Sequence, residues 1–233
     1  VPSNYGTLSL NTVNSSGVDM DFFDHLPLFI LLSSLLPGLA IFLVREDNHL
    51  LRTSLNLFGA VAKLGLVGLM IWGVFHERVS ELRWQIAPGL EMVLHADALS
   101  VVFVTLSTVL WLVTTIYAIG YLEHSPHRSR FFGFFSLCVT ATVGLALAGN
   151  LLTYVDVYEL LTLATYPLVA HKGTPSAVRG ARIYLTHTLG GGVLLLIGVV
   201  WLETIAGPVD FQQGGVLSTM TDLDPWVLRW IFL

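Results

Sequence analysis

The sequence predicts an all-α integral membrane protein with six visible transmembrane helices. Of its 233 residues, 54% are hydrophobic and only 12% are charged, whereas about 25% of residues are charged in typical soluble domains. Its apolar, nearly uncharged runs recur at about 20 residues, the length at which an α-helix crosses the hydrocarbon core of a bilayer. These two observations exclude a soluble globular fold and indicate a bundle of membrane helices.

The six predicted spans are apolar runs separated by polar segments. They occupy residues 26–44, 53–75, 99–122, 131–150, 151–170 and 183–202. The polar stretch after span 2 is too long for a tight turn, and residues 85–95 predict a short extracytoplasmic hairpin around Pro88 and Gly89. A further apolar run of eight residues begins at Trp226. Because a span needs about 20 residues, we expect further sequence or a partner chain to complete that helix.

The chain therefore divides into three predicted parts. An extracytoplasmic N-terminal segment covers residues 1–25, the membrane helix bundle covers residues 26–204, and an outer loop with the start of a truncated seventh helix covers residues 205–233. The sequence shows no internal repeat that would suggest a different organisation.

The connecting loops differ in charge between the two sides of the membrane. The loops at 45–52, 123–130 and 171–182 share one side and hold seven basic residues: Arg45, Arg52, Arg128, Arg130, Lys172, Arg179 and Arg182. The opposite side has only Arg78 and Arg83 before the final fragment. Because Lys and Arg accumulate in cytoplasmic loops, we expect the seven-residue set to face the cytoplasm or matrix and the N-terminus to lie outside.

Several chemistries have no support in the sequence. The single cysteine, Cys138, excludes a disulfide within the chain and a metal site built on thiolates. The eleven Lys and Arg residues are scattered, so no nucleic-acid-binding surface is indicated. No pattern for binding flavin, iron–sulfur clusters or nucleotide is present, and we expect neither a metal nor a cofactor.

Two carboxylates lie inside the fifth predicted span, where charge is costly. A charged side chain at the bilayer centre costs about 2.5–3.5 kcal/mol on insertion scales. Glu159 is eight residues from Leu151, so it lies about 12 Å along the helix, and Asp156 is three residues earlier on the same face. Desolvation and mutual repulsion favour the protonated forms, so Glu159 is a candidate for binding and releasing a proton. A buried structural glutamate is the alternative for Glu159, and a position at a wet interface is the alternative for Asp156.

Lys63 is a second costly residue. It is the eleventh residue of the 23-residue span 53–75, and both helix ends are about 15 Å away, beyond the reach of a lysine side chain. It must therefore face a partner or water inside the bundle, and a carboxylate of span 5 is one candidate partner. A static packing pair is the alternative. Small residues around it predict close helix contact: Gly59, Gly65, Gly68 and Gly73.

Further candidates for proton transfer lie in spans 5 and 6. His187, in span 6, belongs to a residue type that titrates in the physiological range and often acts as an intramembrane relay, although a hydrogen-bonded structural histidine is the alternative. Pro167 removes one backbone hydrogen bond and predicts a kink in span 5. His171 and Lys172 then end that helix, and they are candidates for a water-bridged proton input path about 18 Å from Glu159.

The stretch YELLTLATYPLVAHKGTPSAVRGARIYLTHTLGG, which starts at Tyr158, resembles the antiporter-like membrane subunits. These are shared by Mrp-type multisubunit cation/proton antiporters, by respiratory complex I (its chains L, M and N) and by membrane-bound hydrogenases. The pattern [FWY]-E-L-[LM]-[TS]-L-x-[ST]-Y-x-L-V is characteristic of their fifth helix and matches residues 158–169. Supporting matches are HADALSVVFVTL at the start of helix 3 and R-x-Y-L at the start of helix 6. The resemblance covers about residues 28–205, and TYPLVAHKGTP is most similar to the D-type antiporter protein of the Mrp family, followed by the chain M type of complex I.

The resemblance implies the N-terminal portion of a roughly fourteen-helix fold that translocates protons in an Mrp-type antiporter. Glu159 matches the helix-5 glutamate of the family, which pairs with a lysine on a broken helix 7. Arg182 falls where many members have a lysine. Because helix 7 would begin where this sequence ends, we expect the partner lysine, the central basic residue of helix 8 and the exit residues of helix 12 to come from further sequence or another chain.

Two other functions stay open. The chain is alternatively a membrane-arm component of complex I or a related hydrogenase, in which case a redox-driven enzyme complex would use it, or a non-conducting scaffold that would tolerate glutamine at Glu159. Any redox centre would belong to partner chains. We expect a multi-pass protein of a bacterial or archaeal cytoplasmic membrane. Its expected partners are other membrane subunits and the lipid bilayer, and its expected ions are protons, with sodium as a further candidate.

Overall fold

The computed structural model describes residues 22–76, 78, 80–87, 90–123, 125–207, 209–211 and 226. Within these residues, six helices and one two-stranded sheet follow in chain order. They are α1 (Leu26–Leu43), α2 (His49–Phe75), β1 (Ser80–Ala87), β2 (Leu90–Ala96), α3 (Ala98–Tyr121), α4 (Arg128–Ala146), α5 (Leu151–Val169) and α6 (Pro175–Ala206). The predicted parts at 1–25 and 205–233 lie mostly outside the described residues.

All six predicted spans form helices. Among the described helices, five are long and apolar enough to cross a membrane, namely α1, α2, α3, α4 and α6. The fifth helix, α5, has 19 residues but is less apolar because it carries Asp156 and Glu159 as well as tyrosines and threonines. The prediction of an all-α, multi-pass membrane protein is confirmed.

Three helices begin earlier than the apolar pattern predicts. They start at His49, Arg128 and Pro175 rather than at residues 53, 131 and 183. Hydropathy marks the apolar part of a helix, whereas backbone hydrogen bonding continues into its polar first turns. In α6 the Thr174 side chain caps the helix and Pro175 occupies the first turn, a combination typical of helix starts. The predicted loop 171–182 is therefore wrong in its second half, since Arg179 and Arg182 lie in α6.

The helices α1 and α4 form the middle of the bundle. Helix α1 packs on α2 and α4, α4 also packs on α3 and α5, and α6 packs on α5. Gly59 permits the close contact of α2 with α1, because an added side chain would lie 2.9 Å from Pro37. Gly65 and Gly68, which would also allow a close helix contact, have no neighbour within 4 Å of an added side chain in the described part of the chain.

The predicted outer hairpin is present and longer than expected. Strands β1 and β2 pair antiparallel along their lengths, whereas the sequence predicts a hairpin over residues 85–95 only. The hairpin is bound to the turn between α4 and α5, because His95 N donates to Leu147 O at 2.7 Å and Gly149 N donates to Val93 O at 2.8 Å. We call this end of the bundle the hairpin end.

A charged cluster joins the hairpin to the segment after α6. Arg83 donates a hydrogen bond to Asp210 at 2.7 Å and another to Glu81, and His95 Nδ1 lies 3.2 Å from Glu81. The hydrogen bonds to Asp210 and Glu81 raise the pKa of Arg83. Burial alone would raise the pKa of Glu81, but Arg83 and His95 outweigh it and hold that pKa below its ordinary value. The contact between the hairpin and the segment after α6 is therefore stabilised when Arg83 is protonated and Glu81 is ionised.

The predicted basic loops meet at the opposite end of the bundle, which we call the basic end. Arg52 Nη1 donates to Ser129 Oγ at 3.1 Å, and Ser129 N donates to Glu46 Oε1 at 3.2 Å. The His171 ring packs on Phe131, with ring centroids 5.2 Å apart. The three loops thus share one end of the bundle, as predicted from their charge, while the face of the membrane on which they lie stays a prediction.

Candidate functional site

Glu159 lies at the contact between α5 and α6. Helix α5 begins where Asn150 Oδ1 accepts a hydrogen bond from Thr153 N at 2.8 Å, and Glu159 follows about two turns later. Its carboxylate lies against Gly192 of α6, where an added Cβ would collide with Glu159 Oε1 and lie 3.0 Å from its Cδ. Glycine at position 192 is therefore what leaves room for the carboxylate.

Neither carboxylate of α5 has an ionic partner within the described part of the chain. Glu159 is partly buried, and no salt bridge or side-chain hydrogen bond joins it to another described residue. Asp156 is exposed, and its role in proton translocation stays a prediction. The two side chains share a helix but not an environment, and only Glu159 lies in a contact between helices.

Lys63 is fully buried but does not face α5. Its Nζ donates to Ser34 Oγ of α1 at 2.7 Å, and Ser34 Oγ lies 2.8 Å from Thr140 Oγ1 of α4. Nζ also lies 5.2 Å from the centre of the Trp111 ring of α3, a cation–π geometry. The predicted pairing of Lys63 with a carboxylate of span 5 is therefore wrong among the described residues, because α4 lies between α1 and α5.

Lys63 belongs to a buried polar face of α2, which the hydropathy pattern of the sequence does not reveal. Arg52 and Asn56 are 2% and 0% exposed. The three residues recur at intervals of four and seven, which places them on one face of a helix. Hydropathy assigns Arg52 to a loop because it places the helix start at residue 53. The spacing of Arg52, Asn56 and Lys63 in the sequence is the signal that identifies this face.

Two other predicted residues lie on α6, away from its contact with α5. Arg182 and His187 are exposed, and His187 Nδ1 lies 2.8 Å from the carbonyl oxygen of Ile183 in its own helix. The structure brings neither residue to Glu159. Their participation in proton translocation stays a prediction.

His171 and Lys172 follow α5 at the basic end. Lys172 is exposed, whereas His171 is partly buried and its Nδ1 has no hydrogen-bond partner among the described residues. Burial lowers the pKa of His171, and the charges of Arg130 and His127 lower it further, with Glu46 acting in the opposite direction. The neutral imidazole is therefore favoured near neutral pH, a form that can accept a proton. A proton input role for this pair stays a prediction.

A partly buried glutamate therefore lies between α5 and α6, in a bundle of membrane helices capped by a β-hairpin. A solved chain of the membrane-bound sulfane sulfur reductase, an archaeal respiratory membrane complex, superposes with a TM-score of 0.72 and 14% identity, covering 90% of this chain and 42% of that chain. A chain of the Mrp complex from Dietzia sp. DQ12-45-1b gives a TM-score of 0.69 at 21% identity, covering 88% and 22%. These likenesses show the fold.

Comparisons of the amino-acid sequence point to the same kinds of protein as the structural comparisons. The family model for the N-terminus of chain 5 of NADH-ubiquinone oxidoreductase (complex I) matches residues 85–132. The chloroplastic NAD(P)H-quinone oxidoreductase subunit 5 of Mesostigma viride is 27% identical over 198 residues, which is 80% of this chain and 30% of the relative. A probable K(+)/H(+) antiporter protein of the A/B type from Rhizobium meliloti (strain 1021) is 28% identical over 148 residues, or 63% of this chain and 14% of the relative. The chain thus spans less than a third of these relatives.

The chain is thus similar to antiporter-like membrane proteins, as the motif of its fifth helix predicted, and its family match is to the N-terminus of complex I chain 5. The homologues include both complex I subunit 5 and Mrp-type antiporter subunits. The antiporter relative above is of the A/B type and the complex I match is chain 5, whereas the helix-5 stretch favours the D type of the Mrp family and chain M of complex I.

Proposed function

We propose that this chain forms part of a proton-translocating subunit in a multisubunit Mrp-type monovalent cation/proton antiporter, with Glu159 as its proton site. The observation that carries the proposal is the position of Glu159, partly buried in the middle of α5, against Gly192, and without a basic partner among the described residues. A carboxylate in low dielectric keeps its proton until a cation approaches and then releases it. Such a group converts the movement of a nearby charge into uptake or release of a proton.

The cation that controls Glu159 is expected from a helix outside the described residues, supplied by further sequence or another membrane subunit. When a lysine of that helix leans toward Glu159, the ionised carboxylate is stabilised. When the lysine moves away, the carboxylate takes a proton again. A structure of the complete complex with no basic residue within about 10 Å of Glu159, roughly one Debye length, would contradict this part of the proposal.

The direct test is Glu159→Gln, which keeps the size and hydrogen bonding of the side chain but cannot ionise. Proton or cation flux would be measured in vesicles that contain equal amounts of intact complex. We expect flux to be abolished or strongly reduced while the complex still assembles. Asp156→Asn on the same helix is the matched control and should do less, because Asp156 is exposed. Wild-type flux from Glu159→Gln would favour a non-conducting scaffold.

A second candidate is a proton-translocating subunit in the membrane arm of a redox-driven complex of the complex I type. The match of residues 85–132 to complex I chain 5 favours it. The two candidates share Glu159 as the proton site and differ in the energy source. Flux that responds to an imposed cation gradient without any electron donor supports the antiporter. Flux that requires electron transfer in the assembled complex supports the redox-driven arm.

A further inference from the structure

Three buried polar side chains lie on one face of α3, and Trp111 of this face lies against Lys63 of α2. Thr108, Trp111 and Thr115 recur at intervals of three and four residues, which places them on one helix face, and each is 1% exposed or less. Thr108 Oγ1, Trp111 Nε1 and Thr115 Oγ1 form no hydrogen bond with any described residue. Thr165 of α5, by contrast, donates to the carbonyl of Leu161 at 2.7 Å. Buried polar atoms are nearly always hydrogen-bonded to protein or to internal water.

Lys63 faces the same surface with incomplete hydrogen bonding. An ammonium has three N–H donors, and the only hydrogen bond of Nζ to a described residue is the one to Ser34. Ser34 from α1, Trp111 from α3 and Thr140 from α4 surround it, and none of these is a carboxylate. Removing a charge from water without a counter-charge is strongly unfavourable. The remaining N–H groups therefore require water molecules as hydrogen-bond acceptors.

The hydroxyl groups beside Lys63 orient its ammonium group but do not provide a route for proton transfer away from it. Ser34 Oγ lies 3.2 Å from the carbonyl oxygen of Leu31 and 2.8 Å from Thr140 Oγ1. Thr140 Oγ1 lies 2.9 Å from the carbonyl oxygen of Ser136. Each hydroxyl has one proton to donate, so in every arrangement the last acceptor is the carbonyl of Leu31 or of Ser136. Ser34 in turn accepts from Lys63. The chain of donors ends at a backbone carbonyl, which cannot pass a proton on. Exchange of the Lys63 proton therefore needs the α2–α3 surface.

An opening lies at the basic end of that surface. A cavity of about 490 Å³ is bounded by α2, α3 and α4, and its charged or titratable lining residues are His49, Arg52, Glu123 and Arg128. Arg52, which lines this cavity, and Asn56, one turn further along α2 toward Lys63, each have a buried side-chain nitrogen without a hydrogen-bond partner among the described residues, Nε and Nδ2 respectively. Arg52 to Lys63 is about 16 Å along α2. Thr115 lies one turn from Trp111 toward the same end, because α3 runs from the hairpin end to the basic end.

We infer that a water-filled path runs from this cavity between α2 and α3 to Lys63, and that Lys63 is a second proton site, separate from Glu159. In the release step one N–H bond of the ammonium breaks and its proton passes to a water of the path, which leaves a neutral amine. Uptake reverses the step. The use of this path in transport rests on the proposed function, whereas its existence does not.

Cysteine labelling tests the path in the complete complex. In a Cys138→Ser background, Thr115→Cys and Thr108→Cys are exposed to a small water-soluble methanethiosulfonate from either side of membrane vesicles. The matched controls are Val113→Cys and Ile116→Cys on the outer face of the same helix, where both residues are 58% exposed. We expect Thr115→Cys to react from the basic side at least about tenfold faster than the controls, because the reagent needs a thiolate and hence water. Thr115→Cys reacting no faster than Ile116→Cys would overturn the path.

Replacement of the lysine tests its role. Lys63→Met has a similar length but cannot ionise, and ion flux per intact complex would be measured from acid to alkaline pH. We expect lower flux with a changed pH profile, and unchanged labelling of Thr115→Cys. Wild-type flux per complex and an unaltered pH profile would overturn the proton site. Because labelling needs no flux, it reports on the path even if Glu159→Gln retains wild-type transport.

Discussion

Replacing Gly192 with alanine should disable Glu159 without disturbing the bundle. The new methyl group would occupy the space now held by Glu159 Oε1, so the carboxylate must turn to another rotamer. Gly191, one residue earlier in α6, has no neighbour within 4 Å of an added Cβ. Gly191→Ala is therefore a matched control, with the same chemical change in the same helix.

Gly192→Ala should change the free energy of unfolding little but reduce ion flux strongly. Alanine in a helix is favoured over glycine by about 0.8–1.0 kcal/mol, and an off-rotamer side chain costs about 0.5–1.5 kcal/mol. For Gly192→Ala these terms nearly cancel, because the displaced atoms are the free end of a flexible glutamate. Gly191→Ala gains only the first term. Displacing a reacting group by about 1 Å can reduce a rate on the order of 100-fold, so we expect Gly192→Ala to lose at least tenfold in flux.

The assay is ion flux in vesicles holding equal amounts of intact complex, with thermal unfolding of the purified complex measured in parallel. Gly191→Ala should keep wild-type flux. If Gly192→Ala carries the same flux as Gly191→Ala, the position of the carboxylate at the α5–α6 contact does not matter for transport. The reasoning that links this contact to function would then be refuted.

Three further outcomes are expected. Ser176→Cys in a Cys138→Ser background should be labelled from the cytoplasmic side, and labelling only from outside would reverse the orientation. The unfolding temperature should fall as acid protonates Glu81, since its depressed pKa gives stability that is complete above about pH 4.3 and lost as pH falls through the folded value. Arg83→Gln should flatten that dependence at pH values below about 4.3, and an unchanged slope would contradict the cluster. Asn150→Ala removes the α5 cap and should cost about 1 kcal/mol, measured by chemical unfolding.

Helix number and order could be read from the sequence, whereas helix starts and internal partners could not. Long apolar runs reveal spans because lipid imposes a length. The polar first turns of a helix are not detected by hydropathy. Residues 175–182 are helical because of the N-terminal cap and the backbone hydrogen bonds, although they are not apolar. The hairpin followed from its turn residues, but it extends further because residues 80–84 also pair with the second strand.

The candidate site was predicted in part. Glu159 stood out because charge is costly in a membrane, and the motif around it indicated a resemblance to the antiporter-like membrane proteins. Its contact with Gly192 depends on how α6 crosses α5, and three consecutive glycines in the sequence do not reveal which one receives the carboxylate. Lys63 was found by the same cost argument, but its partners Ser34 and Trp111 come from two other helices. Sequence alone gives no register between them.

The tie between α5 and the segment after α6 gives these two helices a fixed pivot. At the hairpin end, Leu151 N donates to Val209 O at 3.4 Å and Phe211 N donates to Gly149 O at 2.9 Å. Any separation of α5 from α6 would then be smallest at the hairpin end and largest at the basic end. Glu159 lies about 12 Å from this pivot and the last turn of α5 about 27 Å. A displacement imposed at the basic end would therefore reach the carboxylate reduced about twofold.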